Sequence, residues 1–590
     1  MRDVIVIGAG GGGPVVAKEL AERGLDVLLL EAGARFEDPE SEWSRIQNDA
    51  NNPLSGYLRV GPADRSRPAW ARETNVAIGQ ASGVGGTTTH YYGNSPRAMP
   101  GAFAGYVGPD RDAYDRRYEF PFSYKSLVPY YEWVEETLPV QTAAMGRKED
   151  AFFRGADRIG LAHQTEKDIS RDSYRPQENA ILQPKANAGR TSDPLKLVFP
   201  KARGCTFCGH CLSGCVLPRK APRNLKAKRS TDNSYVPMAL TADGWSKHGK
   251  PITLVADAFV TRIHTETIEG TVAARAVTWR VGATGETITE EAKVVVMAAG
   301  CIEAPRLWLN STLPDPNGWV GRGLTNHYLD LVIGQMPFDV GGSKGPGSAA
   351  RADFPGRGSI EHWGGISPGL LTTLVGISEA GISGYYDNGL PSKAGADGTG
   401  RLFGNDLKSF FSEIDRLMLL SPLVDDHVER QNYVTLSSAF PPDEHGPVPK
   451  VQVLHRERTR RTLENREFLT EQAVHIARAA GATRVHRVRM AEAIVHIQST
   501  MRMGHSEDDS VLEPSGEARW VKRLFIADNS ALANGIGGPN PTLTTQALAT
   551  RTAEKILTTY FGGDPWVKTG CPISSIDDRV STAVQQAGIA

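Results

Sequence analysis

A glycine loop set between two short apolar runs decides how the N-terminus of this chain can fold. Residues 4–7 (VIVI) read as a buried strand, and Gly8, Gly10 and Gly13 follow with G-x-G-x-x-G spacing. Residues 15–23 carry helical patterning, and residues 27–30 (VLLL) form a second strand that ends at Glu31. Two strands, a loop and a helix within about 30 residues make a βαβ unit. Its glycines allow a tight turn and a close approach of backbone to a pyrophosphate. The helix N-terminus adds N–H groups and the positive end of its dipole. Glu31 stands where a carboxylate accepts hydrogen bonds from ribose hydroxyls. The unit predicts a dinucleotide cradle in an α/β, Rossmann-like fold, and by itself it does not separate NAD from FAD.

At 590 residues the chain exceeds one ordinary hydrophobic core, so two or more domains are expected. Its 66 basic and 67 acidic residues leave a formal net charge of −1, which gives no general attraction to nucleic acid or to an anionic membrane. No apolar run reaches the roughly 18 residues of a spanning helix. Arg2 and Asp3 lead straight into the first strand rather than into a secretory signal. A cytoplasmic location is expected, with export alongside a signal-bearing partner left open. Residues 252–281 read as a strand meander, residues 293–299 (KVVVMAA) as a buried strand stopping at Gly300, and residues 304–309 as a helix. A glycine- and serine-rich stretch, residues 340–404, holds Trp363, Tyr385 and Tyr386 as aromatic pocket candidates. Residues 456–480 read as a long amphipathic helix, and a C-terminal helix over residues 541–557 opens on Pro541 just after Asn540. Residues 100–203 carry no readable motif, and the tail, residues 562–590, carries no feature.

Other segments, taken in chain order, resemble the glucose–methanol–choline oxidoreductase family. GVGGTTTHYYGNSPR (residues 83–97) is similar to its flavin-contacting signature, and MAAGCIEAPRLWLNS (297–311) to its second signature. VGRGLTNH (320–327) looks like its G-R-x-L-x-x-H segment. HIQSTMRMG (496–504) resembles its catalytic stretch, with Ser499 where glycine is usual, and LFIADNSAL (524–532) its late strand with an Asp near the end. The resemblance implies FAD. It also implies a Rossmann-like FAD-binding domain built from discontinuous segments (residues 1–105, 205–335 and 490–565). An α+β substrate domain with a large antiparallel sheet would take residues 106–204 and 336–489, leaving residues 566–590 as a tail. The cofactor contacts so implied, with those of the glycine loop, are Gly8, Gly10, Gly13, Glu31, Gly85, Gly86, His90, Asp528, Pro541 and Thr542.

Oxidising an alcohol needs a base for the O–H proton and an acceptor for the hydride; the flavin supplies the acceptor at N5, and the protein supplies positioning and proton handling. An imidazole, largely neutral near pH 7, suits the base. By the resemblance His496 is that base, and Asn540, at a position that is His or Asn in the family, hydrogen-bonds the substrate oxygen. His90 stands where some pyranose oxidases and sugar dehydrogenases bond the flavin covalently and others do not, so both readings stay open. The favoured substrate is a secondary hydroxyl of a sugar or glycoside, oxidised to a keto-sugar. The alternative is an oxidase that passes electrons from a sterol, long-chain or aromatic alcohol to O₂.

Cys205, Cys208, Cys211 and Cys215 have the C-x₂-C-x₂-C-x₃-C spacing of a ferredoxin-type iron–sulfur site. A structural zinc, or plain thiols and disulfides, are the alternatives. A cluster would pass electrons singly to an external acceptor and favour a dehydrogenase. By resemblance to the respiratory sugar dehydrogenases, a small partner subunit is also conceivable. With only six cysteines in the chain, four of them in this run, a reduced compartment is expected. Arg219, Lys220, Arg223, Lys226, Lys228 and Arg229 form a basic run beside the cysteines. It reads as a solvated loop, with a docking patch for an acceptor or subunit as the second reading.

Overall fold

The computed structural model describes residues 1–42, 73–183, 204–365, 371, 394–399, 402, 404–454, 458–489 and 493–589. Tyr385 and Tyr386 lie outside them. The first strand, Arg2–Ile7, pairs in parallel with Val27–Leu30 on one side and with Thr287–Met297 on the other. All of residues 4–7 and 27–30 are buried, which explains their continuous apolar sequence: neighbours lie on both edges and helices cover the faces. The sheet has seven strands. Thr253–Val255 extends it beyond Val27–Leu30, and Leu524–Ile526 pairs in parallel with the end of Thr287–Met297. The meander is present as Ala258–Ile268 and Thr271–Val281, antiparallel to each other and continued by Thr287–Met297. The apolar VVVM run, residues 294–297, is thus the buried end of an 11-residue strand.

Helix Gly13–Ala21 packs against helix Thr542–Tyr560, which in turn packs against helix Tyr124–Thr137. Trp133 Nε1 donates to Glu19 Oε1 at 2.9 Å, and the Tyr131 hydroxyl meets Thr544 Oγ1 at 2.9 Å. Residues 106–204 therefore divide between two cores. Helix Tyr124–Thr137 joins the core of the seven-stranded sheet, while helix Arg147–Arg158 joins that of the second sheet.

The second sheet has eight strands, in the order Gly398–Thr399, Arg484–Arg489, Asp330–Gln335, Leu417–Val424, Gly358–Trp363, Ser348–Phe354, Ser173–Pro176 and Ala162–His163. Its interior pairs are antiparallel and both edge pairs are parallel. Helix Arg460–Ala480, capped at Thr459 and closed by Gly481 at φ 110°, covers one face together with helix Arg147–Arg158. Along Gly358–Trp363 the two-residue alternation sends Ile360 and His362 toward that helical layer, where His362 lies 5.8 Å from Phe152. Glu361 and Trp363 are sent to the opposite face, toward the cavity described below.

The tail is structured. Trp566 lies under Arg23, 3.4 Å from its guanidinium carbon, and helix Asp578–Gln586 buries Val580 and Val584. The C-terminal helix runs Thr542–Tyr560, with Pro541 in the cap position immediately before it. Among the described residues no helix is long and apolar enough to cross a membrane.

Candidate active site

A cavity of about 400 Å³ is lined at one end by the glycine loop and at the other by His496, Asn540, Glu361 and Trp363. The glycines do different jobs. Gly8 sits at φ +103°, and a Cβ there would lie 2.3 Å from the Ala298 carbonyl oxygen. At Gly12 a Cβ would lie 1.7 Å from the Ala527 oxygen, and at Gly13 1.9 Å from the Gly8 oxygen. These three let strand, helix and loop touch. Gly10 is the exception, because a Cβ there meets nothing within 4 Å and its backbone opens on the cavity. Opposite it, Gly86 at φ +49° comes so close that its Cβ would stand 2.8 Å from Gly10 Cα. Gly85, at φ +98°, shapes this turn from behind.

Glu31 Oε1 accepts the backbone N–H of Gly33 (2.8 Å) and Gly83 (3.0 Å), and Oε2 accepts that of Ala9 (2.8 Å). Burial raises its carboxyl, and these three bonds pull the other way. The carboxylate thus ties the 83–97 segment to the βαβ unit and keeps capacity on Oε2 for a ribose hydroxyl. Asp528 Oδ2 accepts from Gly300 N at 2.9 Å, and Oδ1 accepts from the Ser530 backbone N–H and hydroxyl, which pins two turns at the cavity wall. Pro541 and Thr542 line the same wall at the N-terminus of helix Thr542–Tyr560. A glycine face, a buried carboxylate and a helix N-terminus on one cavity fit a dinucleotide such as FAD.

His496 follows Ala493–Ile494, which pairs in parallel with Ala77–Ile78. Its ring is half-buried at the cavity. Nε2 lies 3.3 Å from Asn540 Nδ2, Nδ1 lies 3.0 Å from His327 Nδ1, and the backbone N–H donates to Asn326 Oδ1 at 3.3 Å. Burial pushes the imidazole from its ordinary 6.5 down to about 4, so the ring is neutral at pH 7. The two proposed catalytic side chains, 44 residues apart in sequence, therefore meet. Asn540 is buried, and its Oδ1 has no hydrogen-bond partner among the described residues. Glu361 accepts from Asn94 Nδ2 (2.9 Å) and from Trp363 Nε1 (3.2 Å). Tyr92 packs edge-on to Trp363 at 5.8 Å. Ser499 takes φ +70°, the left-handed conformation that favours glycine, with its N–H on Asn529 O (3.1 Å) and its hydroxyl on Thr325 Oγ1 (3.1 Å).

The cysteine loop requires a correction. Among the described residues no group of three or more His, Cys, Asp or Glu is arranged to hold a metal ion. All four cysteines of the loop are free thiols, and burial holds those of Cys205, Cys208 and Cys211 above their ordinary range, Cys211 at about 12. The loop instead walls the cavity: Leu212 lines it, and the Leu212 carbonyl accepts from His90 Nδ1 at 2.9 Å. The basic run is corrected too. Arg219 and Lys220 are exposed, but Arg223, Lys226, Lys228 and Arg229 are buried. Lys228 Nζ donates to the carbonyls of Thr89 (2.9 Å), Tyr91 (2.8 Å) and Cys211 (2.7 Å), which clamps the His90 segment to the cysteine loop. Arg229 ties the same region to Ser575 Oγ at 2.9 Å, so the tail buttresses it. Sequence reasoning missed Glu361, Asn94, the clamping role of Lys228 and the part played by His327. The 320–327 segment carried a signal for the last. For Glu361 only the pairing of its strand shows which way it faces.

A Rossmann-like sheet and a separate, mostly antiparallel eight-stranded sheet both contribute residues to one cavity, an arrangement suited to a dinucleotide-dependent enzyme. An FAD binding domain model matches residues 3–47, and two GMC oxidoreductase models match residues 172–329 and 428–549. The chain belongs to the GMC oxidoreductase family and is an FAD-dependent enzyme acting on the CH–OH groups of alcohols. It is 25% identical to paromamine 6'-oxidase of Streptomyces fradiae, covering 94% of this chain and 91% of that one. It is also 25% identical to 2-methyl-1,2-propanediol dehydrogenase of Mycolicibacterium austroafricanum, covering 94% and 95%. In fold it is similar to pyridoxine 4-oxidase from Mesorbium loti, with a TM-score of 0.59 at 17% identity over 95% of this chain and 100% of that one.

Proposed function

We propose that this enzyme oxidises a secondary hydroxyl of a sugar or glycoside, with His496 as the base and Asn540 holding the substrate oxygen. The observation that carries the reading is the meeting of His496 Nε2 and Asn540 Nδ2, 3.3 Å apart, on the cavity that also holds the glycine loop and Glu31. FAD, when bound, supplies the hydride acceptor. His496, kept neutral by burial, takes the O–H proton on Nε2. A positioned base of this kind is worth about 10²–10⁴-fold. Glu361, Asn94 and Asn540 offer a carboxylate and two amides to neighbouring hydroxyls, and Trp363 and Tyr92 offer ring faces and edges to the apolar side of a sugar.

The test is anaerobic stopped-flow bleaching of the flavin with a panel of monosaccharides, glycosides, paromamine, 2-methyl-1,2-propanediol, cholesterol, dodecanol and benzyl alcohol. Polyhydroxy substrates are expected to bleach fastest, and His496→Gln to keep its flavin while losing about 10²-fold or more in rate. Fast bleaching by the apolar alcohols alone, or an unchanged rate in His496→Gln, refutes the reading. Reoxidation by air with peroxide release assigns an oxidase, and reoxidation by an artificial dye alone assigns a dehydrogenase.

A further inference from the structure

The contact between His327 and His496 has a direction that the surrounding groups fix. We propose that His327 sets the tautomer of His496: it accepts the Nδ1–H of His496 and so leaves Nε2 bare toward the cavity. The inference rests on the reading of His496 as the base, and it makes His327 a positioning residue that acts through that base.

A carbonyl at the inner end and an amide at the outer end of a chain of four groups carry the argument. At the inner end, His327 Nε2 lies 3.1 Å from the Gly535 carbonyl oxygen. A carbonyl only accepts, so Nε2 bears the hydrogen and Nδ1 of a neutral His327 carries a lone pair. That lone pair lies 3.0 Å from His496 Nδ1, which must then donate. At the outer end, Asn540 presents Nδ2 rather than Oδ1 to His496, 3.3 Å from its Nε2. An N–H facing His496 Nε2 requires a lone pair there. Both ends give one answer: Nδ1 of His496 is protonated and Nε2 is free.

Gln498 tests this assignment. Its Nε2 lies 3.1 Å from His327 Nε2, and its Oε1 has no partner among the described residues. Were Gln498 the donor, His327 would carry its hydrogen on Nδ1. The Gly535 carbonyl would then face a lone pair, and an N–H on His496 Nε2 would face the N–H of Asn540. That is two mismatches, whereas turning the Gln498 amide so that Oε1 accepts from His327 Nε2–H makes one, an oxygen in place of the N–H that meets the His496 carbonyl at 3.2 Å. The charged groups around the pair act on it through neutral neighbours or at longer range. Arg351 and Glu361 act at longer range, and Asp426 with its partner Arg458 acts through the Asn326 N–H. When the substrate hydroxyl gives its proton to Nε2, the Nδ1 hydrogen stays on His496 and goes on donating to His327, now as a charge-assisted bond.

The experiment is ¹⁵N NMR of histidine-labelled, flavin-loaded full chain at pH 7, with His496→Gln and His327→Asn used for assignment. The expected result is His496 protonated on Nδ1 and His327 on Nε2. In His327→Leu, His496 is expected to become a tautomer mixture. With whichever alcohol of the panel bleaches the wild-type flavin fastest, bleaching in that variant slows by about 10-fold or more, the scale of a neutral hydrogen bond. His327→Asn, whose Oδ1 can stand where Nδ1 stood, restores most of the rate although it cannot reach Gly535. A merely structural role would make Asn and Leu equally damaging and leave the tautomer unchanged. His496 protonated on Nε2 in the wild type, or a fixed Nδ1–H tautomer in His327→Leu, overturns the proposal. If no alcohol bleaches the wild type, the reading of His496 as base falls while the spectrum still reports the tautomer. If His327→Leu does not fold, the wild-type and His327→Asn spectra decide.

Discussion

Gly10 and Gly12 belong to one loop, yet the structure assigns them opposite consequences on substitution. In Gly12→Ala the new Cβ starts 1.7 Å from the Ala527 carbonyl oxygen, and real Cβ atoms keep at least 3.0 Å. The strand end Leu524–Ile526 and the Ala527 N–H, which donates to Met297 at 2.9 Å, must move with that oxygen. Overpacking against backbone of this kind costs about 1–3 kcal/mol. In Gly10→Ala the Cβ meets nothing within 4 Å, and Gly10 is not among the glycines with a left-handed φ. The folded chain tolerates that change within about 0.5 kcal/mol. What the methyl does occupy is the open face on which a pyrophosphate would lie. Loss of one hydrogen bond to a charged phosphate costs about 1.5–3 kcal/mol, which is roughly a 10- to 100-fold weaker hold on FAD. Urea denaturation without added FAD reads the first quantity, and flavin retained on dilution, followed by fluorescence, reads the second. Gly12→Ala should lower the urea midpoint, and Gly10→Ala should keep it and lose flavin. A Gly10→Ala protein that holds FAD as tightly as the wild type, or that unfolds before Gly12→Ala, refutes the division of labour.

Ser499→Gly removes a left-handed strain of about 1–2 kcal/mol but also loses the Thr325 bond and gains chain entropy, each about 1 kcal/mol, so its melting temperature is expected to move little. Ser499→Val, β-branched at the same φ, is expected to melt well below both. Buried His362 and His327 are held well below their ordinary pKa, as is His496. The unfolded chain therefore takes up their protons first: stability is whole above about pH 6.5 and falls as the pH drops toward 4, by about 1.4 kcal/mol per pH unit for each such histidine. His362→Phe, which removes two ring nitrogens that have no hydrogen-bond partner among the described residues, is expected to flatten that slope in urea titrations at pH 7, 6 and 5.

The legible parts of the fold were those in which one local pattern has one physical meaning. VIVI, the glycine loop and VLLL could be read because a strand buried on both faces must be apolar throughout, and because a backbone crossing cannot carry a Cβ. The 21 residues of helix Arg460–Ala480 were legible from their amphipathic period, apart from a start set by the Thr459 cap. Helix Tyr124–Thr137 was not read: its polar side chains point at partners far along the chain, Trp133 at Glu19 and Tyr131 at Thr544, and no local period records that. The His496–Asn540 pair was reachable through the family's motifs. Glu361 was not, because alternation along a strand says which residues share a face but not which face meets the cavity.

The cysteine loop shows where motif spacing misleads. Four cysteines in eleven residues look like a ligand set, and the turns around them also shape the segment as part of the cavity wall. Gly209 lies at φ +83°, where a Cβ would stand 2.2 Å from the Ser343 oxygen, and Gly214 lies at φ +86°. Phe207 takes φ +61° and packs its ring near the Lys148 ammonium, 5.7 Å away. Small side chains and left-handed turns let this segment lie flat against the His90 wall and aim the carbonyls of Cys211 and Leu212 inward. The neighbouring lysine is then buried for a reason that charge patterning cannot record: Lys228 meets three inward-facing carbonyls, and an ammonium's three donors suit three acceptors. Basic residues beside a glycine-rich turn whose carbonyls converge are thus as much a sign of a clamped wall as of a docking face, and burial, rather than charge count, decides between the two.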